Sequence, residues 1–107
     1  MEQHNYIVVF ITVKDAEEAK KIAATLLKRR QAACVNIIPG VSSHFWWKDK
    51  LDKSEESLVI VKSKESLLPD ITRSVRKIHS YSVPEIIALP IIGGSREYLE
   101  WIDSEVA

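Results

Sequence analysis

From Tyr6 to Ile11 every position is apolar, most are β-branched or aromatic, and no charge intervenes. Such a run predicts a central strand covered on both faces. The period then changes. Ala16, Ala19, Ile22, Ala23, Leu26 and Leu27 recur at helical intervals, which predicts an amphipathic helix. Asp15 stands at its N-cap with Glu18 three residues on, a capping-box start. Glu17 and Glu18 fall in its first turn and Lys28, Arg29 and Arg30 in its last, as the helix dipole favours. Ala33 to Ile38 forms a second apolar strand. Pro39-Gly40 predicts a bulge or bend in it, because Val41 to Trp47 resumes strand composition. Lys48-Asp49-Lys50 is a tight polar turn that folds the long strand back as a hairpin, and Leu58 to Val61 is the next buried strand. Leu67, Leu68, Ile71, Val75 and Ile78 trace a second amphipathic helix, with Pro69 tolerated in its first turn. Glu85 to Ile92 is a fourth strand, which Pro90 confines to an edge or a bulge. Gly93-Gly94-Ser95 opens a short final helix with Tyr98, Trp101 and Ile102 on its apolar face.

This order predicts one domain over residues 1–107, an α+β, ferredoxin-like βαββαβ sandwich with an extra short C-terminal helix. The two halves match: strand to returning strand takes about 27 residues in each, the span of a minimal crossover unit. Two long helices cover only one face of a four-stranded sheet, yet strands 7–11, 58–61 and 86–92 are apolar at both parities. A solvated second face would alternate instead. The pattern therefore calls for a partner on that face, and another copy of the chain is the default supplier.

Composition narrows the function. The 107 residues are 46% hydrophobic and 28% charged, with 15 Lys and Arg against 15 Asp and Glu. That is too apolar for disorder and too charged for a membrane protein. The balanced charge argues against a generic nucleic-acid partner, whose phosphates demand net positive charge. An RNA-binding sheet would also need aromatics on its third strand, and Leu58-Val-Ile-Val has none. One cysteine excludes an internal disulfide framework. The apolar run at the N-terminus is too short for a signal peptide or a membrane span. The expectation is a cytoplasmic protein with no direct membrane insertion.

Several segments, in order, resemble one family. Arg30-Gln-Ala-Ala-Cys-Val-Asn-Ile-Ile-Pro39 resembles the R-L-A-A-C-x-N-x-I-P segment of the CutA divalent-cation-tolerance proteins, small trimers related in architecture to the PII signalling proteins. Trp47-Lys-Asp-Lys50 resembles their W-x-G-K turn, and Lys62-Ser63 their K-T. His79-Ser-Tyr-Ser-Val-Pro-Glu85 resembles H-P-Y-x-x-P-E, and Tyr98-Leu-Glu-Trp101 their C-terminal Y-L-x-W. The resemblance runs from about Ile7 to Ile102, and several motifs in order make it specific. It implies a homotrimer in which the long strand through Trp47 pairs with a neighbour and the sheets pack around a three-fold axis. It also implies a role in tolerance of copper and other divalent metals, or, as associated with mammalian members, in anchoring or trafficking acetylcholinesterase through a protein partner. No enzymatic reaction is established for the family. Ser80 replaces the family's Pro, and Asp49 its turn Gly, which the turn tolerates. Some bacterial members resemble a copper site built from a first-strand Cys and two adjacent His. Ile11 and Ile78 occupy two of those positions here, leaving His79 alone.

Candidate chemistry is sparse. A soft-metal site needs three or four converging N or S ligands, and the chain offers Cys34, His4, His44 and His79 with no metal-binding spacing. Cys34 and His44 share one strand, about 33 Å apart, so they cannot share a metal within a subunit. His79 is the candidate metal ligand, for copper or another divalent cation, through one His per chain at a trimer interface. The competing reading is an interface His held by hydrogen bonds. Cys34, in an Ala-Ala-Cys-Val run without a cation nearby in sequence, reads as a small core hydrophobe. His79, Tyr81 and Glu85 bring a base, a hydroxyl and an acid within seven residues, a set that could serve acid–base catalysis. No activated nucleophile or phosphate-cradling loop accompanies them, so a structural stitch to a neighbouring subunit is preferred. Trp46 and Trp47 point to opposite faces of their strand. An intersubunit cleft lined by Trp47, Lys62, Tyr81 and Glu85 is the candidate small-ligand pocket. Lys50, Lys53, Lys62 and Lys64 read as solvated strand-edge charges. The expectation is a binding or signalling scaffold requiring no cofactor.

Overall fold

A computed structural model describes residues 5–107. Its elements are β1 (Tyr6–Val13), α1 (Ala16–Lys28), β2 (Cys34–Trp47), β3 (Lys50–Lys64), a 3-10 turn (Glu65–Leu67), α2 (Leu68–Ile78), β4 (Ile86–Pro90) and α3 (Arg96–Glu105). The four strands form one antiparallel sheet in the order β2-β3-β1-β4. This is the predicted βαββαβ path with its added helix.

Parity assigns each sheet residue to a layer. Val9 stands between Val61 and Ala88, and Ile11 between Val59 and Ile86. Val9, Ile11, Val59 and Val61 are fully buried and form one core with Ala19, Ile22 and Leu26 of α1 and Ile71 and Val75 of α2. Ala16 and Leu27, expected on the buried face of α1, are instead exposed. They flank a stripe that the sheet covers only at its centre. The N-cap is as expected, with Asp15 Oδ1 accepting from the Glu18 amide at 2.9 Å. After α1 the chain turns through Arg30 in the left-handed region (φ 57°). The Arg30 amide reaches Leu27 O and the Gln31 amide reaches Leu26 O, the paired bonds of a Schellman ending.

The other face carries Val8, Phe10, Ile60, Ile38, Ile87 and Leu89. Part of it is covered within the chain by α3, so the call for a partner applies to the remainder of that face. There α3 lies against β3, anchored by fully buried Ile102 and by an ion pair from Lys64 Nζ to Asp103 Oδ1 at 2.9 Å. Tyr98 and Trp101, expected to share that buried face, remain 43% and 40% exposed. The C-terminal residues then cross to the helical side, where Val106 joins the core and the Ala107 amide meets Arg30 O at 2.8 Å. Ile38, Ile87 and Leu89 stay largely uncovered.

β1 ends opposite Ser57, at Val13, so the earlier residues of β3 pair with β2 alone. The result is a two-stranded arm that stretches the molecule to 49 × 26 × 22 Å. A bulge at Pro39-Gly40, with Gly40 at φ 72°, sets two residues of β2 against one of β3. The turn at the tip places Lys48 (φ 50°) and Asp49 (φ 63°) both in the left-handed region, as a two-residue hairpin matching the strand twist requires. The polar half of β3 was not assigned from sequence, because Lys50 to Ser57 lacks apolar alternation. Pairing with β2 creates it.

Candidate functional site

The segment from His79 to Glu85 runs past the end of β1, in the notch between α1 and β3. Its side chains are clamped from both sides. On the helical side, Glu18 accepts from the Ser80 amide (2.9 Å), the Ser80 hydroxyl (3.1 Å) and the Lys14 amide (3.2 Å). Burial raises the Glu18 pKa, but the bonds from Ser80 and Lys14 outweigh it, and the carboxyl sits below its ordinary value. On the strand side, the Tyr81 hydroxyl donates to Glu56 Oε2 at 2.8 Å. Burial and that bond to a carboxylate push the phenol up to about 12.

His79 locks the middle of this strap. The Tyr81 amide donates to His79 Nδ1 at 3.0 Å, so that nitrogen carries no proton. Nε2 lies 2.8 Å from Thr12 O and must therefore be the donor. The ring also leans on Tyr81, with centroids 4.8 Å apart. A metal at His79 would have to displace the Tyr81 amide or the Thr12 carbonyl. Ile11, at one of the bacterial-type copper positions, is fully buried, and Ile78, at another, packs against the core. His44 is exposed on the arm beside Ser42 (3.1 Å), and His4 lies outside the described residues. Among the described residues, no three His, Cys, Asp or Glu side chains converge on a metal position.

Of the other sequence candidates, Tyr81 is paired with Glu56 and not with Glu85, which is exposed just before β4. The His79–Tyr81–Glu85 set is thus not assembled as acid–base machinery in this chain. Trp47 faces Lys50 at the arm tip, whereas Lys62 faces Cys34 at the far end of β3. Twelve strand residues, about 40 Å, separate them within one chain. A cleft holding Trp47, Lys62, Tyr81 and Glu85 together requires more than one chain.

Lys62 revises the reading of Cys34. Cross-strand pairing sets the ammonium beside the thiol, a proximity that sequence distance conceals. Lys62 Nζ and Cys34 Sγ both donate to Asn36 Oδ1, and burial of Tyr98, followed by its approach to Cys34 from α3, raises its phenol pKa. The thiol is half-buried on the sheet face opposite the core, not within it.

The arm exposes large apolar side chains on both of its strands. Trp46 is 70% exposed, Leu51 opposite it 72%, and Trp47 47%. No helix among the described residues is long and apolar enough to cross a membrane.

Comparison with known proteins now adds a family. Residues 7–105 match the model of the CutA1 divalent ion tolerance protein family. The chain is 48% identical over 96 residues to the rice protein named Protein CutA 1, chloroplastic, covering 90% of this chain and 54% of that one. It is 45% identical over 95 residues to the divalent-cation tolerance protein CutA of Thermus thermophilus, covering 89% and 92%. The solved structure of the periplasmic divalent cation tolerance protein CutA from Archaeoglobus fulgidus superposes with a TM-score of 0.90 at 42% identity, over 98% of this chain and all of that one. The chain spans about half the length of the plant relative.

Proposed function

We propose that this chain, which belongs to the CutA1 divalent ion tolerance family, acts as a homotrimeric, non-catalytic scaffold in divalent-cation tolerance. The observation that carries the trimer is the uncovered apolar surface, namely Ile38, Ile87 and Leu89 on the sheet and Trp46, Trp47 and Leu51 on the arm. Monomers seldom leave apolar patches such as the facing pair Trp46 and Leu51 in water, and β2 offers a long unpaired edge to a neighbouring strand. In such an assembly the arm of one subunit reaches the strap of another. Trp47 and Lys62 can then line an intersubunit cleft with Tyr81 and Glu85. Sedimentation velocity at micromolar concentration tests this: three-chain mass is expected, and a stable monomer overturns it.

Two roles remain for such a trimer. Direct copper or other divalent-cation binding would use His79 at the cleft. A protein-interaction scaffold without a metal role is favoured by the engagement of both His79 ring nitrogens. Copper titration of wild type against His79→Ala separates them: direct binding predicts lost stoichiometry, the scaffold reading predicts no change. The reading requires no resident cofactor. A single free thiol at Cys34 fits a reducing compartment, and the cytoplasm is the location we propose.

A further inference from the structure

The net charge of zero conceals a segregation of charge. Residues 19–31 and 71–79 contain eight Lys and Arg and no Asp or Glu, whereas residues 82–107 contain five Asp and Glu and one Arg. In the fold the first two segments form most of α1 and α2, side by side on one face of the sheet, and the carboxylates of these helices, Glu17, Glu18 and Asp70, are confined to their first turns. The acidic segment carries α3, which lies on the other face against Lys64. Two of the eight cations are neutralised, Arg30 by Glu105 and Arg73 by Asp70. Lys20, Lys21, Lys28, Arg29, Arg76 and Lys77 are exposed, with no carboxylate paired to them among the described residues. Compensation of helix dipoles accounts for cations in a last turn. It does not account for Lys20 and Lys21, in the middle of α1.

We propose that this helical layer is an electrostatic docking face for an anionic lipid surface. Three observations select that occupant. The cations are spread over two neighbouring helices and not gathered into a groove, so they can meet many headgroups at once. Apart from Leu27, no large apolar side chain is exposed on these helices, so the face lacks the aromatic anchors that dominate protein interfaces. It likewise lacks the aromatic platforms on which single-stranded nucleic acids stack. The acidic α3 lies on the opposite face, with Glu17 and Asp70 the exceptions in the first turns of α1 and α2, which orients the molecule with the sheet and arm away from the membrane. Attachment is peripheral, screened by salt, and needs no insertion.

The test is co-sedimentation of the full-length protein with vesicles of phosphatidylcholine containing about 30% phosphatidylserine, against phosphatidylcholine alone. Binding is expected only with the anionic lipid, and only at low salt, where charges are least screened. Replacing Lys20, Lys21, Arg76 and Lys77 together by Gln should weaken partitioning at least about a hundredfold. The charge-retaining K20R/K21R/R76K/K77R should bind as wild type, and so should K48Q/K50Q/K53Q on the arm. If the fourfold Gln variant does not fold, K20Q/K21Q and R76Q/K77Q are measured separately, each expected to weaken binding at least about tenfold. No binding to the anionic vesicles, equal loss in the arm variant, or tighter binding to duplex DNA at the same salt overturns the proposal.

Discussion

The hydroxyl of Tyr81 donates to Oε2 of Glu56 across 2.8 Å, and Glu56 is only 7% exposed. This buried carboxylate forms no ion pair among the described residues, and a neutral phenol from the 79–85 strap donates to it. Removing the donor leaves the acceptor buried and unsatisfied, which costs more than the bond itself contributes. Tyr81→Phe should therefore destabilise the fold by about 1–3 kcal/mol, read as a lower urea midpoint at unchanged slope. Glu56→Gln, which retains an acceptor, should cost less. An unchanged midpoint in Tyr81→Phe would show that the strap is not held there.

The same pair sets a response to alkali. The folded-state phenol is raised from 10 to about 12, first by burial and then by the bond to Glu56. Its contribution is complete below pH 10, where an unfolded tyrosine is still protonated. It is lost as pH climbs through about 12. Wild type should lose more stability than Tyr81→Phe between those limits, and parallel curves would refute the assignment.

Glu18 acts in the opposite direction. Its carboxyl lies below its ordinary value because bonds from Ser80 and Lys14 outweigh burial. Its stabilisation is present above the ordinary value of 4.5 and fades as pH falls through the depressed one. Acid unfolding followed by circular dichroism should show a weaker pH dependence in Glu18→Gln. Ser80→Ala, which deletes one of the three donors, should cost about 1 kcal/mol at neutral pH and less once Glu18 is protonated.

At the arm tip, Asp49 holds a left-handed conformation, φ 63°, that a side chain disfavours. Asp49→Gly should stabilise the hairpin by about 0.5–1 kcal/mol, since the strain relieved exceeds the chain entropy added. A lowered thermal midpoint would mean that the Asp49 side chain makes a contact worth more than that strain.

Legibility differed by kind of residue. The strands at Tyr6–Val13 and Leu58–Val61, the Asp15 cap and the Pro90 edge were readable because each is a local pattern of period, cap or missing donor. The polar half of β3 was not, because Lys50–Ser57 becomes a strand only by pairing with β2. Nor was the strap: His79, Tyr81 and Glu85 cluster in sequence, yet Tyr81 finds Glu56, and Ser80 finds Glu18, partners 25 and 62 residues away. Cys34 read as isolated from any cation until register set Lys62 opposite it.

Local period and ordered motifs were thus enough, from the amino acids alone, to specify the βαββαβ path, the hairpin and the family resemblance. Each depends on residues within one or two turns of each other. Tertiary structure alone decided that Glu56 completes Tyr81 and that both His79 nitrogens are engaged by backbone. It alone turned α3 onto the second sheet face and set eight of the chain's 15 Lys and Arg together on the helical layer. These are distances across the fold between residues remote in sequence, and only the register and packing of the elements determine them.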